Sequence, residues 1–299
     1  MIAHDNRSAT AAALRAAVPY LRLYQGRTFV VKAGGAVFDD PEATSALMEQ
    51  VGILHQVGID VVFVHGGGPQ TTRLGERLGV EARFVQGRRV TCEQTREVST
   101  MVLNGSLNTR IVAACRRLSV PAVGLSGVDA NLVTAQRRPP QQIDGQSVDY
   151  GYVGDLQAID PSVVKDVLAT RRLPVISPLS ADEHGELLNL NADGVAAELA
   201  CALGAAKLIL VTGAPGLLED PADPGTLVSV TDLAGLDRME AEGCLEGGML
   251  PKAAAVRTAL RGGVERVHLL SHRAPDGLLL EVFTNEGTGT MVIAQSKEE

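Results

Sequence analysis

Two lysines, Lys32 and Lys252, have neighbours that suit phosphate chemistry. Lys32 ends an apolar run and precedes the glycines of KAGG, and Lys252 follows the glycines of GGMLP. Phosphoryl transfer depends on positioning and charge neutralisation more than on covalent chemistry, so two cations beside flexible turns fit it. Lysines are more commonly solvated surface residues, and that alternative stays open for both.

Three glycine clusters follow strand-like runs, at residues 32–35, 65–69 and 212–216. Ligands bind at the carboxyl ends of parallel strands, where glycine lets backbone N–H groups approach an anion. The chain contains neither G-x-x-x-x-G-K-[ST] nor G-x-G-x-x-G at these turns, which disfavours the P-loop and dinucleotide classes. The clusters predict a phosphate-binding crevice of another kind, and we interpret His65 as a turn residue beside the glycines.

The segment Asn189–Asp193 adds two amides and a carboxylate just before a helix-like run. Polar groups of this kind could contact a substrate or hold the lysines. Asn and Asp are also favoured helix starters, so capping is the alternative.

The elements that position these residues follow an alternating pattern, which predicts crossover units and a largely parallel, buried sheet with helices on both faces. The predicted strands are Thr28–Val31, Asp60–Val64, Ala122–Leu125, Leu173–Ile176, Lys207–Val211 and Arg266–Leu270. Thr91 and Gln94 predict a capping box before a helix over Glu97–Leu118, and Asp160-Pro161 predicts another helix up to Arg172. The polar stretch Val133–Tyr152 predicts a hairpin excursion, of a kind that often lies over a ligand.

The N-terminal segment Ser8–Tyr24 carries apolar residues at i, i+3, i+4 and i+7, which predicts an amphipathic helix that Pro19 kinks or splits. Its apolar face could dock on its own domain or on another subunit, and the sequence favours neither.

Composition narrows the class of protein. The 299 residues carry a net charge of -8, which disfavours nucleic acid and anionic membranes as partners. The four cysteines form no C-x-x-C pair, and no apolar run approaches the length of a membrane span. We expect a cytoplasmic protein with small-molecule partners.

The motifs resemble the amino acid kinase family, in its N-acetyl-L-glutamate kinase branch. The resemblance extends from Thr28 to Val292 and rests on an ordered set of segments: KAGGAV, VHGGGPQ, FVQGRRVT, GLSGVDANL, DYGYVGDL, PVISPLS, LNLNADGVAAELA, LVTGAPGLL, EGGMLPK and EGTGTM. It implies an α/β fold with an open, mainly parallel sheet sandwiched between helices and an N-terminal helical extension. The implied divisions are 1–25 for that extension, 26–200 for an acyl-amino-acid lobe and 201–299 for a nucleotide lobe.

The resemblance also implies a role for each matching residue. Lys32 and Lys252 would neutralise the migrating phosphoryl group, and Asp193 would hold both lysines. Arg89 would grip the α-carboxylate of the substrate, unless it is a structural surface arginine. The other implied contacts are Gly67, Gly68 and Asn189 for the substrate and Gly34, Gly35, Thr212, Gly216, Leu217 and Met249 for phosphate and nucleotide.

The implied reaction is the phosphorylation of the γ-carboxylate of N-acetyl-L-glutamate by ATP, with Mg²⁺ carried by the nucleotide and no dedicated metal site. A carboxylate acceptor is already ionised at neutral pH, so no general base is required. Two alternatives stay open: a kinase for a related acyl-amino acid such as N-acetyl-aminoadipate, and a silent arginine-sensing subunit.

The N-terminal helix resembles the extension of the arginine-inhibited, hexameric members of the family. This implies a homo-oligomer, either a dimer or a hexamer joined through the helix. It also implies an arginine site formed by Tyr20, Tyr24, His268, Glu281 and Gly287.

Three positions depart from the family pattern. Ala33 replaces a bulkier residue, Ser106 stands where lysine is usual, and Gly213 replaces an acidic residue. The last departure matters most, because an acid at that place would help to orient Lys252 and the nucleotide.

Overall fold

The structure is a computed structural model that describes residues 2–143 and 145–295. Its helices are α1 Ile2–Tyr24, α2 Pro41–Gln56, α3 Gly68–Arg77, α4 Glu93–Thr100, α5 Asn108–Arg117, α6 Ser162–Ala169, α7 Ala192–Ala202, α8 Leu233–Ala241, α9 Met249–Arg261 and α10 Gly277–Phe283. Short 3₁₀ turns occur at Gly35–Asp39, Asp129–Asn131 and Pro224–Thr226, and Met101–Leu107 forms a π-helical segment between α4 and α5.

The strands are β1 Thr28–Ala33, β2 Asp60–His65, β3 Arg83–Val85, β4 Arg88–Val90, β5 Ala122–Ser126, β6 Val133–Arg137, β7 Gln141–Ile143, β8 Gln146–Val148, β9 Gly154–Ile159, β10 Leu173–Ser177, β11 Leu179–Ala181, β12 Leu187–Asn189, β13 Lys207–Thr212, β14 Val230–Asp232, β15 Arg266–Ser271 and β16 Thr290–Ile293. Eight of them form the central sheet in the order β14-β16-β15-β13-β1-β2-β10-β5. All its pairings are parallel except that between β15 and β16.

The central strands are buried on both faces, as expected for a sheet covered by helices on each side. Val30 and Leu208 belong to one hydrophobic cluster, which includes residues of α7 and α9. Their neighbours Phe29 and Ile209 belong to a second cluster with residues of α2 and α5. The alternation places the Lys32 side chain on the α7 and α9 face, because successive residues of a strand point to opposite faces.

The predicted fold class is confirmed, and each of the six predicted strands lies within an observed strand. The Asp160-Pro161 helix is also present, as α6, although it ends at Ala169. The predicted excursion contains β6 and the small hairpin of β7 and β8, and β6 pairs antiparallel with β9, which follows the excursion.

The predicted capping box at Thr91 and Gln94 is wrong. The first residue of α4 is Glu93 and its N-cap is Cys92, whereas Thr91 is buried and bonded through its backbone to Tyr150 and Tyr152. Because its backbone is held by these residues of the excursion, Thr91 cannot serve as the cap. The helix prediction also missed the π-helical segment that interrupts it.

The N-terminal helix α1 is continuous through Pro19 rather than split. Its last turns dock on the body of the same chain, where Tyr24 is buried and the Tyr20 hydroxyl donates to Asn285 Oδ1 at 2.7 Å. Residues 11–16 are exposed, with Leu14 at 64%. Docking on its own domain is therefore observed for the last turns and not for residues 11–16.

The division into lobes near residue 200 stays a prediction, and β13 continues the sheet that β1 and β2 begin. Met1 of the predicted 1–25 segment, residue 144 of the excursion and residues 296–299 of the predicted nucleotide lobe lie outside the described residues. None of the described helices combines the length and apolarity needed to cross a bilayer.

Candidate active site

A shared carboxylate joins the two candidate lysines. Lys32 Nζ lies 2.8 Å from Asp193 Oδ1, and Lys252 Nζ lies 3.5 Å from Asp193 Oδ2. The Lys32 and Asp193 side chains are each 6% exposed, and that of Lys252 is 18% exposed. The structure therefore brings together three residues that lie up to 220 positions apart in the chain (252 − 32 = 220).

Local structure fixes each of the three residues. Lys32 is on β1 in the middle of the sheet, between Val64 and Leu210 of the neighbouring strands. Asp193 is in the first turn of α7, whose N-cap Asn191 accepts hydrogen bonds from the backbone amides of residues 193 and 194. The capping interpretation is thus correct for Asn191, and the cap orients the start of the helix that carries Asp193.

Lys252 lies in the first part of α9 and donates to Gly248 O at 3.2 Å as well as to Asp193. These two contacts hold its ammonium group without an acidic residue at position 213. The departure at Gly213 therefore leaves Lys252 anchored.

Burial and charge act in opposite directions on this cluster. Burial lowers the pKa of Lys32, and the nearby charge of Asp193 offsets only part of that effect. Burial alone would raise the pKa of Asp193, but the charges of Lys32 and Lys252 outweigh it and hold that pKa below its usual value. The aspartate is therefore ionised between two cations.

A crevice of about 420 Å³ lies on one side of the cluster, at the carboxyl ends of β2 and β12. Its lining includes the predicted substrate residues Gly67, Gly68, Arg89 and Asn189 together with Arg88, Arg138, Asn191, Gly194, Ala254 and Thr258. Three arginines and no carboxylate line it. The crevice is therefore suited to an anionic ligand with more than one charge.

Arg89 is held at the wall of this crevice. Its Nη2 donates to Gly68 O at 3.0 Å and to Thr72 Oγ1 at 2.6 Å, and its guanidinium lies 4.7 Å from the centre of the Phe84 ring. Burial lowers its pKa from a value so high that the group stays charged. The remaining N–H groups of Arg89 can face a carboxylate from a fixed position.

The glycines of these turns differ in their hydrogen bonds and in the space that a side chain would find. The Gly34 amide donates to Val211 O at 3.2 Å, so it is engaged within the sheet edge. Gly35 packs closely, since a Cβ atom there would lie 2.7 Å from Gln70 Oε1. Gly67 needs to be glycine as well, because a Cβ would lie 2.6 Å from Leu103 Cδ2, whereas a Cβ at Gly68 would meet no protein atom within 4 Å.

A second crevice of about 310 Å³ lies on the other side of Lys252. Its lining includes four of the predicted phosphate and nucleotide residues, Thr212, Gly216, Leu217 and Met249, and several apolar neighbours such as Leu218, Pro221 and Leu245. Lys252 lines this crevice, while its helical neighbours Pro251, Ala254 and Ala255 line the first. Ala192 and Gly194, which flank Asp193, also line the first crevice, so the lysine and aspartate cluster lies between the two crevices.

Sequence reasoning missed Arg138. This side chain lines the first crevice and is oriented by Asp155, which accepts from its Nε at 3.0 Å. The signal was available, because Arg137 and Arg138 lie within the polar stretch Val133–Tyr152, for which we predict a position over a ligand. Their pairing with Asp155 was not readable from the sequence.

A third cavity of about 410 Å³ lies between α1, α10 and β15. Its lining includes all five residues of the predicted arginine site, Tyr20, Tyr24, His268, Glu281 and Gly287. His268 Nδ1 lies 2.7 Å from Glu281 Oε1, and Lys207 Nζ lies 3.0 Å from His268 Nε2. Burial lowers the pKa of Lys207 to about 8 and also lowers that of His268.

Among residues 2–143 and 145–295, no group of three or more His, Cys, Asp or Glu side chains is arranged to hold a metal ion. The carboxylate of the lysine cluster, Asp193, is paired with two lysines. The donor set of this cluster suits phosphate oxygens rather than a bare cation.

The sequence profile of the amino acid kinase family matches residues 27–271. An acetylglutamate kinase from Myxococcus xanthus is 46% identical over 96% of this chain and 95% of its own length. Another from Methanococcoides burtonii is 41% identical over 94% of each chain.

Among solved structures, an N-acetylglutamate synthase from Neisseria gonorrhoeae, complexed with coenzyme A and N-acetyl-glutamate, matches with a TM-score of 0.83 and 28% identity. The match covers 96% of this chain and 64% of the synthase, so this chain spans less than two thirds of that protein. A carbamate kinase from Giardia lamblia, at 16% identity and a TM-score of 0.63, shares the fold over 90% of this chain and 99% of its own.

Proposed function

Because the chain belongs to the amino acid kinase family, we propose that it is an acetylglutamate kinase, which transfers the γ-phosphoryl group of ATP to the γ-carboxylate of N-acetyl-L-glutamate. The observation that supports this proposal most is the Lys32–Asp193–Lys252 cluster, which lies between two crevices. Relatives at 41–46% identity over nearly their full length bear that name, which supports the substrate assignment. The product would serve arginine biosynthesis.

The first crevice would bind the acyl-amino acid. Arg89 would grip the α-carboxylate, since its fork of donors matches a carboxylate in a bidentate way. Asn189, the last residue of β12, would contact the same substrate. The side-chain carboxylate would then point to the lysine cluster.

This carboxylate needs no general base, because its ordinary pKa of about 4.3 leaves it ionised at neutral pH. It attacks the γ-phosphorus of ATP directly, the bond from that phosphorus to the bridging oxygen of ADP breaks, and ADP leaves. The chain's task is to hold the two anions in line and to offset their repulsion.

The positive charges of Lys32 and Lys252 would offset the repulsion between the two anions, and Asp193 would keep both ammonium groups in place. Backbone amides at Gly67 and Gly68 would add neutral donors on the substrate side. Donors fixed before the reaction stabilise the charge of the transition state without reorganising.

The second crevice would hold ATP, with Thr212, Gly216, Leu217 and Met249 as contacts and Lys252 next to the phosphates. Gly34 and Gly35 would lie near the transferring group, although the Gly34 amide donates within the protein in this state. Mg²⁺ would be bound by the nucleotide's phosphates and would neutralise part of their charge.

The third cavity would bind arginine as a feedback inhibitor. Glu281 and Glu286 offer negative charge for a guanidinium, and Lys207 and Arg266 offer positive charge for an α-carboxylate. The synthase from Neisseria gonorrhoeae was also solved with coenzyme A and L-arginine, at 25% identity and a TM-score of 0.78. Arginine should lower the activity of the wild-type chain, and Glu281→Gln should weaken that effect; an unchanged rate at high arginine concentration would end this assignment.

We also expect a homo-oligomer in the cytoplasm. β5 is an edge strand of the central sheet and is only partly buried, so it can pair with another chain. The exposed residues 11–16 of α1 offer a second contact surface.

The decisive experiment is an ATP-to-ADP assay with N-acetyl-L-glutamate, N-acetyl-aminoadipate and further acylated acidic amino acids. Highest kcat/KM with N-acetyl-L-glutamate supports the proposal, preference for the longer analogue supports the sister kinase, and no turnover with any of them supports a silent subunit. One extra methylene shifts preference by only ~10- to 200-fold, so full kinetic curves are needed.

Variants separate the roles within the site. Lys32→Ala and Lys252→Ala should each lower kcat by about 100-fold or more with smaller changes in KM, because charge builds up mainly in the transition state. Arg89→Ala should mainly raise the KM for the acyl-amino acid. Lys165→Ala, at an exposed position of α6, is the matched control and should leave both constants unchanged; equal, small effects from all four changes would contradict the assigned roles.

A further inference from the structure

His65 is fully buried at the end of β2, directly before the glycine turn, and the reaction proposed above does not use it. Its Nδ1 lies 3.1 Å from Gly66 O. Its Nε2 lies 3.1 Å from Asn108 Nδ2 at the start of α5. The imidazole therefore joins the glycine turn to a helix 43 residues further along the chain.

The protonation of this imidazole follows from its partners. A carbonyl oxygen can only accept, so Nδ1 carries the hydrogen and donates to Gly66 O. Burial lowers the pKa of His65 to about 4, and the ring is neutral at physiological pH. Nε2 is then the acceptor of a hydrogen bond from Asn108.

Asn108 is matched to this tautomer. Its Nδ2 also lies 3.0 Å from Val175 O on β10 and 3.5 Å from Leu125 O on β5, so the two nearest acceptors for its two amide hydrogens are Val175 O and His65 Nε2. The reverse orientation of the amide would place Asn108 Oδ1 against Val175 O and against the lone pair of His65 Nε2, where it could accept no hydrogen bond. The orientation of the amide is therefore fixed. Asn108 thereby fixes which nitrogen of His65 donates to the turn.

The bond to Gly66 O determines the direction of the next amide. The peptide between Gly66 and Gly67 is planar and trans, so its N–H points away from its C=O. With the carbonyl held toward His65, the Gly67 N–H points in the opposite direction. No described residue accepts a hydrogen bond from this N–H, and Gly67 lines the first crevice.

The turn has two further contacts, and the segment that makes one of them is itself anchored. The Gly66 amide donates to Ala33 O at 2.9 Å, and the Cα of Gly67 faces Leu103 and Leu107 of the π-helical segment. Asn104 of that segment accepts from Ser177 Oγ at the end of β10. Such segments often mark functional sites, and here the segment packs against the turn.

We propose that His65 and Asn108 are positioning residues, which aim the Gly67 amide into the crevice so that it donates to the anion at the site of phosphoryl transfer. This inference rests on the proposed kinase function. Neither side chain touches the substrate: His65 acts through the Gly66–Gly67 peptide and Asn108 acts through His65. The nearby glycines alone would leave the direction of this amide undetermined.

Two substitutions at His65 separate its two hydrogen bonds. His65→Asn retains a donor at the place of Nδ1 and loses the link to Asn108. His65→Gln retains an acceptor at the place of Nε2 and loses the donor to Gly66 O. Both remove the ring and leave a comparable cavity, so each is the structural control for the other.

The test compares kcat, both KM values and the thermal unfolding midpoint of the two variants. His65→Asn should keep kcat within about threefold of wild type, and His65→Gln should lose about tenfold or more in kcat with little change in the KM for ATP. If both variants lose activity equally, or if neither does, the positioning role is wrong.

The ¹⁵N–¹H resonance of Gly67 in the unliganded chain gives a readout that is independent of turnover. It should stay near its wild-type position in His65→Asn and move in His65→Gln. An unchanged signal in both variants would overturn the inference. A wild-type chain that does not consume ATP would overturn the proposed function alone, since the resonance would still report whether His65 directs this amide.

Discussion

At the scale of single residues, Asp193 is the centre of the site because it is the shared counter-ion of two lysines from different elements. Its carboxylate contacts Lys32 of β1 through one oxygen and Lys252 of α9 through the other. Without that charge, no nearby anion would counter the effect of burial, which lowers the pKa of Lys32. The protonation of Lys32 therefore depends on Asp193 as much as its position does.

Asp193→Asn should lower kcat and move its pH dependence. Burial already lowers the pKa of Lys32, and the substitution removes the charge that raises it. A lysine is charged below its pKa, so the loss of activity with rising pH should begin at lower pH in the variant than in wild type. A kcat profile from pH 6 to 10 measures this, and coincident profiles would show that Asp193 does not control the charge on Lys32.

The two glycines at the start of α3 provide a matched pair. A Cβ at Gly68 meets no protein atom within 4 Å, whereas one at Gly67 would lie 2.6 Å from Leu103 Cδ2. Gly68→Ala should leave stability within about 0.5 kcal/mol of wild type and raise the KM for the acyl-amino acid, since its methyl group enters the crevice. Gly67→Ala should destabilise the chain by about 1–3 kcal/mol through overpacking.

Chemical denaturation and steady-state kinetics of both variants check these expectations. A Gly68→Ala enzyme with an unchanged KM would mean that the substrate does not approach this turn.

Much of the site could be predicted because its residues lie at strand ends or beside glycine, where sequence patterns are informative. Lys32 is the penultimate residue of β1, and Asp193 ends the polar segment Asn189–Asp193, which runs into the first turn of α7. The contacts of His65 with Asn108 and of Arg138 with Asp155 could not be predicted. They join distant positions, and local propensity says nothing about which buried polar groups will meet.

At the scale of elements, the parallel strands were the most predictable part, since a short, continuous β-branched run between turns is typical of a strand covered on both faces. The helix after β4 was the least predictable. Thr91 and Gln94 match a capping pattern, but the backbone of Thr91 is bonded to the excursion and Cys92 takes the N-cap position. No residue pattern indicates the π-helical segment, which depends on packing against Gly67.

Protonation of His65 should loosen the junction of β2, α5 and β10. Its pKa is about 4 in the folded chain and 6.5 in the unfolded one, so between these values the unfolded chain binds the extra proton. The free energy of unfolding should therefore fall as pH decreases through that window, by roughly 2 kcal/mol between pH 7 and pH 5 for this group. Burial lowers the pKa values of His55 and His268 too, which adds to the slope in the same direction.

Urea titrations of wild type and His65→Asn at pH 7 and pH 5 isolate the share of His65. The variant should lose clearly less stability over this interval. Equal losses in both chains would assign the whole pH dependence to other groups.

At the scale of the whole molecule, helix α1 carries a stretch that its own chain leaves uncovered. Its last turns dock through Tyr20 and Tyr24, but residues 11–16 are exposed. If this exposed stretch joins subunits into a hexamer, Leu14→Glu should reduce the assembly to dimers, because it places a charge in an apolar contact. Leu78→Glu, at an exposed leucine on the C-cap of α3, is the control and should leave the assembly unchanged.

Sedimentation analysis of both variants at several protein concentrations gives the masses. An assembly of unchanged mass in Leu14→Glu would exclude residues 11–16 of α1 from the subunit contacts.

Helix α9 forms part of the wall of both crevices, with Lys252 on one side and Ala254 and Thr258 on the other. A two-headed inhibitor, with an adenosine phosphate at one end and an acylated amino acid at the other, could therefore occupy both sites along a single helix. Its tether would pass the lysines, where a negatively charged linker would gain affinity and a neutral one would not. Such compounds would also act as molecular rulers, because the tether length that binds best reports the separation of the two substrates.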